Sequence, residues 1–356
     1  MAKEKWLIDP AEYDEFQREI ARISINASFV IKGCAGSGKT VLALDRVDNI
    51  RIQTIAEDES AKPSFTFIVY TKALKAFISS GALQKGINIE QIIHYDKWDG
   101  NPVDYIVVDE SQDFGKEQID KFNNAKRKSI MLYGDSQQQV YTEKDGSPTL
   151  SIEAIQDYLN LKDKELNKNY RLPKLIASFA SELSEDKNLE LKCTKTGAEK
   201  PKLKKCKSWE AELDFIINEI QTRNYTDVCI LLPFNTKRRA PTNNLHRNVE
   251  SVKEYFDRKG FRHEFKMRDD DSDAMDFDFD SDLPKVMTYH SSKGLQFESV
   301  FIPFCDMPNH DTWVEDNYKN PIYVALTRTY RNLYLTYSAT LSPFFSGIAH
   351  SKYDII

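Results

Sequence analysis

The sequence predicts an α/β fold of two lobes, each a mostly parallel sheet flanked by helices. Two observations predict it. Apolar, β-branched strand patterns alternate with helical ones across roughly the first 150 residues, as in a parallel sheet covered on both faces. A second α/β pattern follows beyond residue 160. The 356 residues suffice for two cores of ordinary size, and the expected lobes are 1–160 and 161–356.

Residues 9–28 read as a helix, opened by the capping pair Asp9-Pro10 and carrying Phe16, Ile20 and Ile23 on one face. The strand Ser28–Ile31 then runs into Ile31-Lys-Gly-Cys-Ala-Gly-Ser-Gly-Lys-Thr-Val41, with the spacing G-x-x-x-x-G-K-[ST]. Its glycines let consecutive backbone N–H groups turn inward on an anion. The helix starting near Lys39 adds its positive dipole end. Gly33, Ala35, Gly36, Ser37 and Gly38 thus form a phosphate cradle, Lys39 reaches the β/γ-phosphates, and Thr40 offers its hydroxyl to Mg²⁺. Nucleotide binding follows from this stretch; the use of the nucleotide does not.

Phe65–Tyr70 is a buried strand, followed by a helix over about Lys72–Ser80. Ile92–Trp98 comes next, then the strands Tyr105–Asp109 and Ser129–Tyr133, the latter ending at Gly134-Asp135. Ile106-Val-Val delivers Asp109 and Glu110 to the carboxyl edge of the sheet, where ligands of α/β sheets bind. Asp109 is expected to hold Mg²⁺, and Glu110 to orient and deprotonate the attacking water. Two residues are needed because a carboxylate committed to the metal is a poor base. The plainer alternative, two surface acids at a strand end, is disfavoured by the phosphate loop upstream.

A helix at about Thr149–Leu161 and the stretch Leu166–Arg171 lead into the second lobe. There the strand Asp227–Leu232 precedes a basic loop (Lys237, Arg238, Arg239) and a helix over Val249–Lys259. The strands Lys285–Tyr289 and Ser299–Pro303, the segment Tyr323–Arg328 and the strand Asn332–Tyr337 complete it. No sequence repeat is evident, although a structural repeat of two similar lobes fits the pattern.

The formal charge is −6, but eight aspartates lie within Asp269–Asp282, and removing those eight charges leaves +2. The acidity is therefore local. The run reads as a solvated loop of the second lobe; a sharper alternative is an acidic flap that competes with nucleic acid for a basic groove. No apolar run is long enough to span a bilayer, and Met1–Trp6 lacks the apolar stretch of a secretion signal. The five scattered cysteines fit a reducing compartment and form no Cys-x-x-Cys pair, which argues against structural zinc. A cytoplasmic location is expected, with no membrane partner.

Asp-Glu-Ser-Gln-Asp at 109–113, after a Gly-x-Ala-Gly-x-Gly-Lys-Thr loop, resembles the superfamily 1 helicases of the UvrD/Rep/PcrA type. Further motifs follow in that family's order. Gln17, sixteen residues before Gly33, matches its adenine-reading glutamine. Tyr70-Thr71-Lys72 and Ile93-His94-Tyr95 resemble its single-strand-contacting motifs. Leu132–Tyr141 is similar to Gly-Asp-x-x-Gln-x-Ile-Tyr, which implies Gln138 as γ-phosphate sensor and Tyr141 as a base-stacking residue. Asn169-Tyr170-Arg171 and Tyr323–Arg328 resemble the motifs that carry two arginine fingers, Arg171 and Arg328. Met287–Phe297 resembles Thr-x-His-x-x-Lys-Gly-Leu-Glu-Phe, with Gln296 in place of the glutamate and so a weaker expected contact to ribose or phosphate. The resemblance implies two RecA-like P-loop lobes, with ATP and Mg²⁺ between them and the arginines completing the site from the second lobe. Thr71, Lys72, His94, Tyr141, Thr288 and His290 are the nucleic-acid candidates it implies.

The sequence departs from that family in two further ways. Val140–Lys144 lacks the tryptophan that follows the family's third motif, and the spacings Thr40–Asp109 and Arg171–Thr288 leave little room for inserted subdomains. The leading expectation is an ATP-dependent translocase or helicase on single-stranded DNA, 3′ to 5′ by family analogy, with RNA not excluded. The alternative is a nucleotide-switched ATPase subunit that regulates a partner such as a nuclease in DNA repair or phage defence. A P-loop kinase gives no role to Arg171 and Arg328.

Overall fold

The run Phe65–Val69 is buried at all five positions, as a strand must be when helices cover both faces of its sheet. It forms β2 of a six-stranded sheet with β1 (Phe29–Gly33), β3 (Ile92–His94), β4 (Val103–Val108), β5 (Lys126–Gly134) and β6 (Lys162–Leu166). All pairings are parallel and the spatial order is β3-β2-β4-β5-β1-β6. The computed structural model describes residues 6–139, 143–144, 147–237, 246–265, 277–306 and 315–356. The chain divides into two compact units, Lys5–Tyr170 and Arg171–Ile356, and this sheet is the centre of the first.

Helices α1 (Glu15–Ala21), α2 (Lys39–Glu57), α3 (Lys72–Gln84), α4 (Lys116–Ala125) and α5 (Ile152–Leu159) belong to the same unit. Val30, Ile68, Ile106 and Leu132 from the strands pack with Phe114, Phe122 and Ile155, and Trp98 lies in this core. The helix expected over 9–28 is shorter. A 3₁₀ turn at Pro10–Glu12 precedes α1, and Asp14 caps α1 through a reciprocal box with Gln17, which restarts the helix where the apolar pattern alone reads as continuous. The expected lobe boundary at residue 160 falls ahead of β6. The unit extends to Tyr170 because β6 completes the sheet beside β1, with Phe29–Gly33 in register with Lys162–Leu166.

The second unit holds a seven-stranded parallel sheet: β7 (Lys202–Lys205), β8 (Val228–Leu232), β9 (Glu264–Phe265), β10 (Lys285–Thr288), β11 (Phe297–Ile302), β12 (Thr329–Tyr337) and β13 (Asp354–Ile355). Their order is β9-β10-β8-β11-β12-β7-β13. With the two-residue edge strand β9 set aside, the chain ranks run 3-2-4-5-1-6, as in the first sheet. The topology repeats where the sequence does not. Helix α6 (Lys174–Ala180) precedes the sheet, α7 (Trp209–Arg223) follows β7 as α2 follows β1, and α8 (Val249–Arg258) and α9 (Glu315–Leu326) complete the cover. Each fourth-rank strand is followed by a non-glycine residue at positive φ, Glu110 at 54° and Phe304 at 64°.

Of the acidic run, residues 277–282 are described and 269–276 lie outside the described residues. The described end is anchored. Phe277 is buried, Asp278 N–H donates to Glu264 Oε2 at 3.0 Å, and Ser281 Oγ donates to Glu264 Oε1 at 2.6 Å. Lys285 Nζ closes the group on the carbonyls of Ser281 and Leu283. Among the described residues no helix is long and apolar enough to cross a membrane.

Candidate functional site

The loop between β1 and α2 carries the phosphate motif. Gly38 caps α2 with φ 93°, a backbone conformation that costs glycine little and other residues much. A Cβ there would also stand 2.8 Å from Gln17 Nε2. Lys39 is buried, and its Nζ donates to Gly33 O at 2.7 Å and Cys34 O at 3.1 Å. The ammonium is thus held inside the loop on neutral acceptors, which charged phosphate oxygens outcompete. Ser37 Oγ is buried without a hydrogen-bond partner, a donor that a polar ligand would satisfy. The Gln17 amide is committed at both ends: Oε1 accepts from Asp14 N–H at 3.2 Å and Nε2 donates to Ser37 O at 3.3 Å.

β4 brings Asp109 and Glu110 to the same carboxyl edge, with β5 between β4 and β1. Thr40 Oγ1 donates to Asp109 Oδ2 at 2.7 Å, so the first turn of α2 meets the end of β4. Burial, and then the neighbouring Glu110 charge, push the Asp109 carboxyl up to about 6, against the pull of the Thr40 hydroxyl and Lys39. This hydroxyl–carboxylate pair fits Mg²⁺, which takes one or two hard protein oxygens and fills its octahedron with water and phosphate. The charge of the ion would also offset the burial that disfavours an ionised Asp109. Glu110, 4 % exposed, accepts from Gln112 Nε2 at 2.7 Å.

At the end of β5, Asp135 Oδ2 accepts from Gln138 Nε2 at 2.7 Å. Burial raises the Asp135 carboxyl, while Lys39 and Gln138 lower it. The first unit places Gly33–Thr40, Asp109, Glu110 and Gln138 at the carboxyl ends of β1, β4 and β5. It adds Asp135 and Gln112, which the sequence does not single out. Both lie inside stretches that were legible as motifs, but their roles depend on β5 lying beside β4.

Thr71, Lys72 and His94 sit at the ends of β2 and β3, across β4 and β5 from the phosphate loop. The Thr71 hydroxyl caps α3 by accepting from Leu74 N–H at 3.0 Å, and His94 Nδ1 accepts from Asp96 N–H at 3.3 Å. Tyr141, Arg238 and Arg239 lie outside the described residues, and Lys237 pairs with Glu254 at 2.6 Å.

The second unit assembles its own group around the turn between β10 and β11. Thr288 Oγ1 lies 2.9 Å from Ser291 Oγ, and His290 is half-buried in the same turn. Further along, Leu295 O lies 3.4 Å from Nη1 of both Arg171 and Arg328, and Gln296 is the next residue. Arg328 is 1 % exposed, and it also donates from Nε to Val324 O at 2.8 Å and from Nη2 to Thr327 Oγ1 at 3.0 Å.

Among family models, one described as the viral superfamily 1 RNA helicase core domain matches residues 29–251, and one for the UvrD-like helicase C-terminal domain matches residues 285–336. The ATP-dependent DNA helicase PcrA of Staphylococcus aureus is 29% identical over 175 residues, covering 45% of this chain and 24% of PcrA. PcrA of Staphylococcus epidermidis is 27% identical over the same length, with the same coverage. The chain thus spans about a quarter of the length of the curated relatives it matches. Arterivirus nonstructural protein 10, a helicase solved in complex with DNA, matches at a TM-score of 0.46 and 14% identity, covering 93% of this chain and 64% of that one.

Proposed function

We propose that this chain, which belongs to the superfamily 1 helicases of the UvrD/PcrA type, hydrolyses ATP at its phosphate loop and uses the cycle to move along single-stranded DNA. The observation that carries this is the 2.7 Å bond between Thr40 Oγ1 and Asp109 Oδ2 beside the buried Lys39 and Glu110. A loop that only held nucleotide would not need a second carboxylate there.

Thr40 and Asp109 would hold Mg²⁺, which supplies charge compensation to the phosphate oxygens. Lys39 and the backbone of Gly33–Gly38 bind the β/γ-phosphates, and Gln17 lies beside the loop where adenine would be read. Glu110 takes a proton from the attacking water, and Gln138 senses the γ-phosphate. Arg171 and Arg328 of the second unit would neutralise the charge that develops on the transferred group. In this scheme hydrolysis requires the two units to close on the nucleotide, and product release reopens them. Thr71, Lys72, His94, Thr288 and His290 would contact the strand, and movement is 3′ to 5′.

The test is the ATPase rate of the chain with no polymer, single-stranded DNA, duplex DNA and RNA, at two salt concentrations. Single-stranded DNA should stimulate turnover strongly and less so at high salt, because phosphate contacts release counterions. Lys39→Ala and Glu110→Gln should each reduce it to a small residual rate. A rate indifferent to every polymer refutes the motor, and greater stimulation by RNA than by DNA reassigns its substrate.

A further inference from the structure

The side chain of Gln112 is wholly buried and bridges two strands. Its Nε2 donates to Glu110 Oε2 at 2.7 Å, and its Oε1 accepts from the backbone N–H of Asp135 at 3.1 Å. These partners fix the amide orientation, because an N–H needs an oxygen and a carboxylate needs a donor. Glutamate would set a second negative charge against Glu110, leucine offers neither group, and asparagine is one methylene short. The backbone is tied as well: Gln139 Nε2 donates to Gln112 O at 3.0 Å and to Thr149 Oγ1 at 2.8 Å. Gly134 leaves room for the amide, since a Cβ there would stand 2.7 Å from Gln112 Oε1. Glu110 sits at φ 54°, a sparsely populated conformation for a non-glycine residue that persists only where its surroundings over-determine it.

We propose that Gln112 is the positioning residue for Glu110, setting the direction of the hydrolytic carboxylate from the end of β5 rather than from its own strand. The segment that carries Asp135 and Gln138 begins where Gln112 holds it, so the γ-phosphate sensor and the base share one reference point. The Gln112 amide is spent on Glu110 and on the Asp135 N–H, so Gln112 acts through Glu110.

The inference rests on the hydrolytic site proposed above, and its test separates the two. ATPase turnover and nucleotide binding are measured for the full chain carrying Gln112→Leu, Gln112→Glu and Gly134→Ala, with Lys39→Ala and Glu110→Gln as references. Each of the first three should lower kcat by about 100-fold, the usual cost of a misplaced reacting group, with KM for ATP and ADP affinity within about threefold. In single-turnover measurements on the Glu110→Gln background, Gln112→Leu should cost nothing further, because the group it positions is already disabled. Thermal unfolding checks folding, and Gln112→Glu, nearly isosteric, keeps the test valid if the leucine variant is unstable. Wild-type turnover in Gln112→Leu and Gln112→Glu overturns the inference. So does a further loss on the Glu110→Gln background, which marks a merely structural residue. Wild-type turnover in Lys39→Ala and Glu110→Gln overturns the underlying site instead.

Discussion

Arg171 and Arg328 share one acceptor, the carbonyl oxygen of Leu295, with Nη1 of each 3.4 Å away. Two guanidiniums converging on a neutral oxygen gain little from it and repel each other. An anion with several oxygens is the better partner for such a pair.

Replacing either arginine by alanine should therefore lower polymer-stimulated kcat by about 10³-fold, the low end of arginine-finger effects. ATP affinity should change only a few-fold. The two losses should not multiply in the double variant, since both act on one charge in one transition state. Arg328→Lys should not rescue, because its Nε and two Nη atoms donate in three directions and an ammonium has no planar fork. Steady-state ATPase assays with fluorescent-nucleotide titrations decide this. Losses below tenfold would remove both arginines from the chemistry.

The Thr40–Asp109 bond gives a metal-dependence prediction. Removing Mg²⁺ with EDTA should stop turnover, and adding it back should restore it. Thr40→Val keeps the shape and deletes the oxygen, so the half-saturating Mg²⁺ concentration should rise by about tenfold or more. Lys39 is untouched by this change, so nucleotide measured without metal should bind with nearly unchanged affinity. An unchanged Mg²⁺ requirement in Thr40→Val counts against the Thr40 assignment.

How much of this is legible in the sequence depends on how local each feature is. The phosphate loop is legible because its turn and helix start lie within the eight residues Gly33–Thr40, and Asp109-Glu110 because an apolar strand delivers them directly. The bridge from Gln112 to Asp135 is not, because it exists only once β5 pairs with β4, and strand order is set by long-range pairing. The shared rank order of the two sheets is hidden for the same reason. The helix over 9–28 reads too long because apolar spacing carries through the break, while the stop and restart lie in the caps at Asp9 and Asp14.

Arg46 supports the phosphate helix from behind. It is buried, and its guanidinium donates to Ile23 O at 2.6 Å, Ser24 O at 2.7 Å and Ala27 O at 3.1 Å. It thereby fastens the segment that leads into β1 onto α2. Arg46→Ala strands three carbonyls at ~1 kcal/mol or more each, so the first unit should lose about 3 kcal/mol. Arg46→Met, which restores the packed stem without the donors, should recover less than half. Urea unfolding of the nucleotide-free chain measures both. A loss below about 0.5 kcal/mol means that water replaces the guanidinium.

The topological repeat places Glu212 where the second unit has no phosphate loop. In the first unit Thr40, in the first turn of the helix after the rank-one strand, reaches Asp109 beyond the rank-four strand. In the second, Glu212 occupies the first turn of α7, and its Oε2 accepts from Phe304 N–H at 2.8 Å, beyond β11, and from Thr336 Oγ1 at 2.7 Å. A carboxylate of the chain itself fills that corner. Burial pushes it up to about 7, with Asp306 adding to the push and the bonds from Phe304, Thr336 and Ser338 opposing it. Asp306 is in turn paired with Arg247 at 3.1 Å. In the unfolded chain a glutamate titrates near ~4.3. The folded chain therefore keeps a proton that the unfolded chain has lost across the window from about 4.3 to about 7. The stability Glu212 contributes is full below that window and lost as pH rises through 7, by on the order of 4 kcal/mol in all. Glu212→Gln keeps an oxygen for Phe304 N–H and removes the titration. Subtracting its unfolding free energy from that of the parent at pH 5, 6, 7 and 8 cancels the other carboxylates. The parent should lose stability relative to the variant from pH 5 to pH 7, and the difference should level off by pH 8. Parallel profiles would mean that Glu212 is ionised throughout, with Arg247 or solvent compensating its charge.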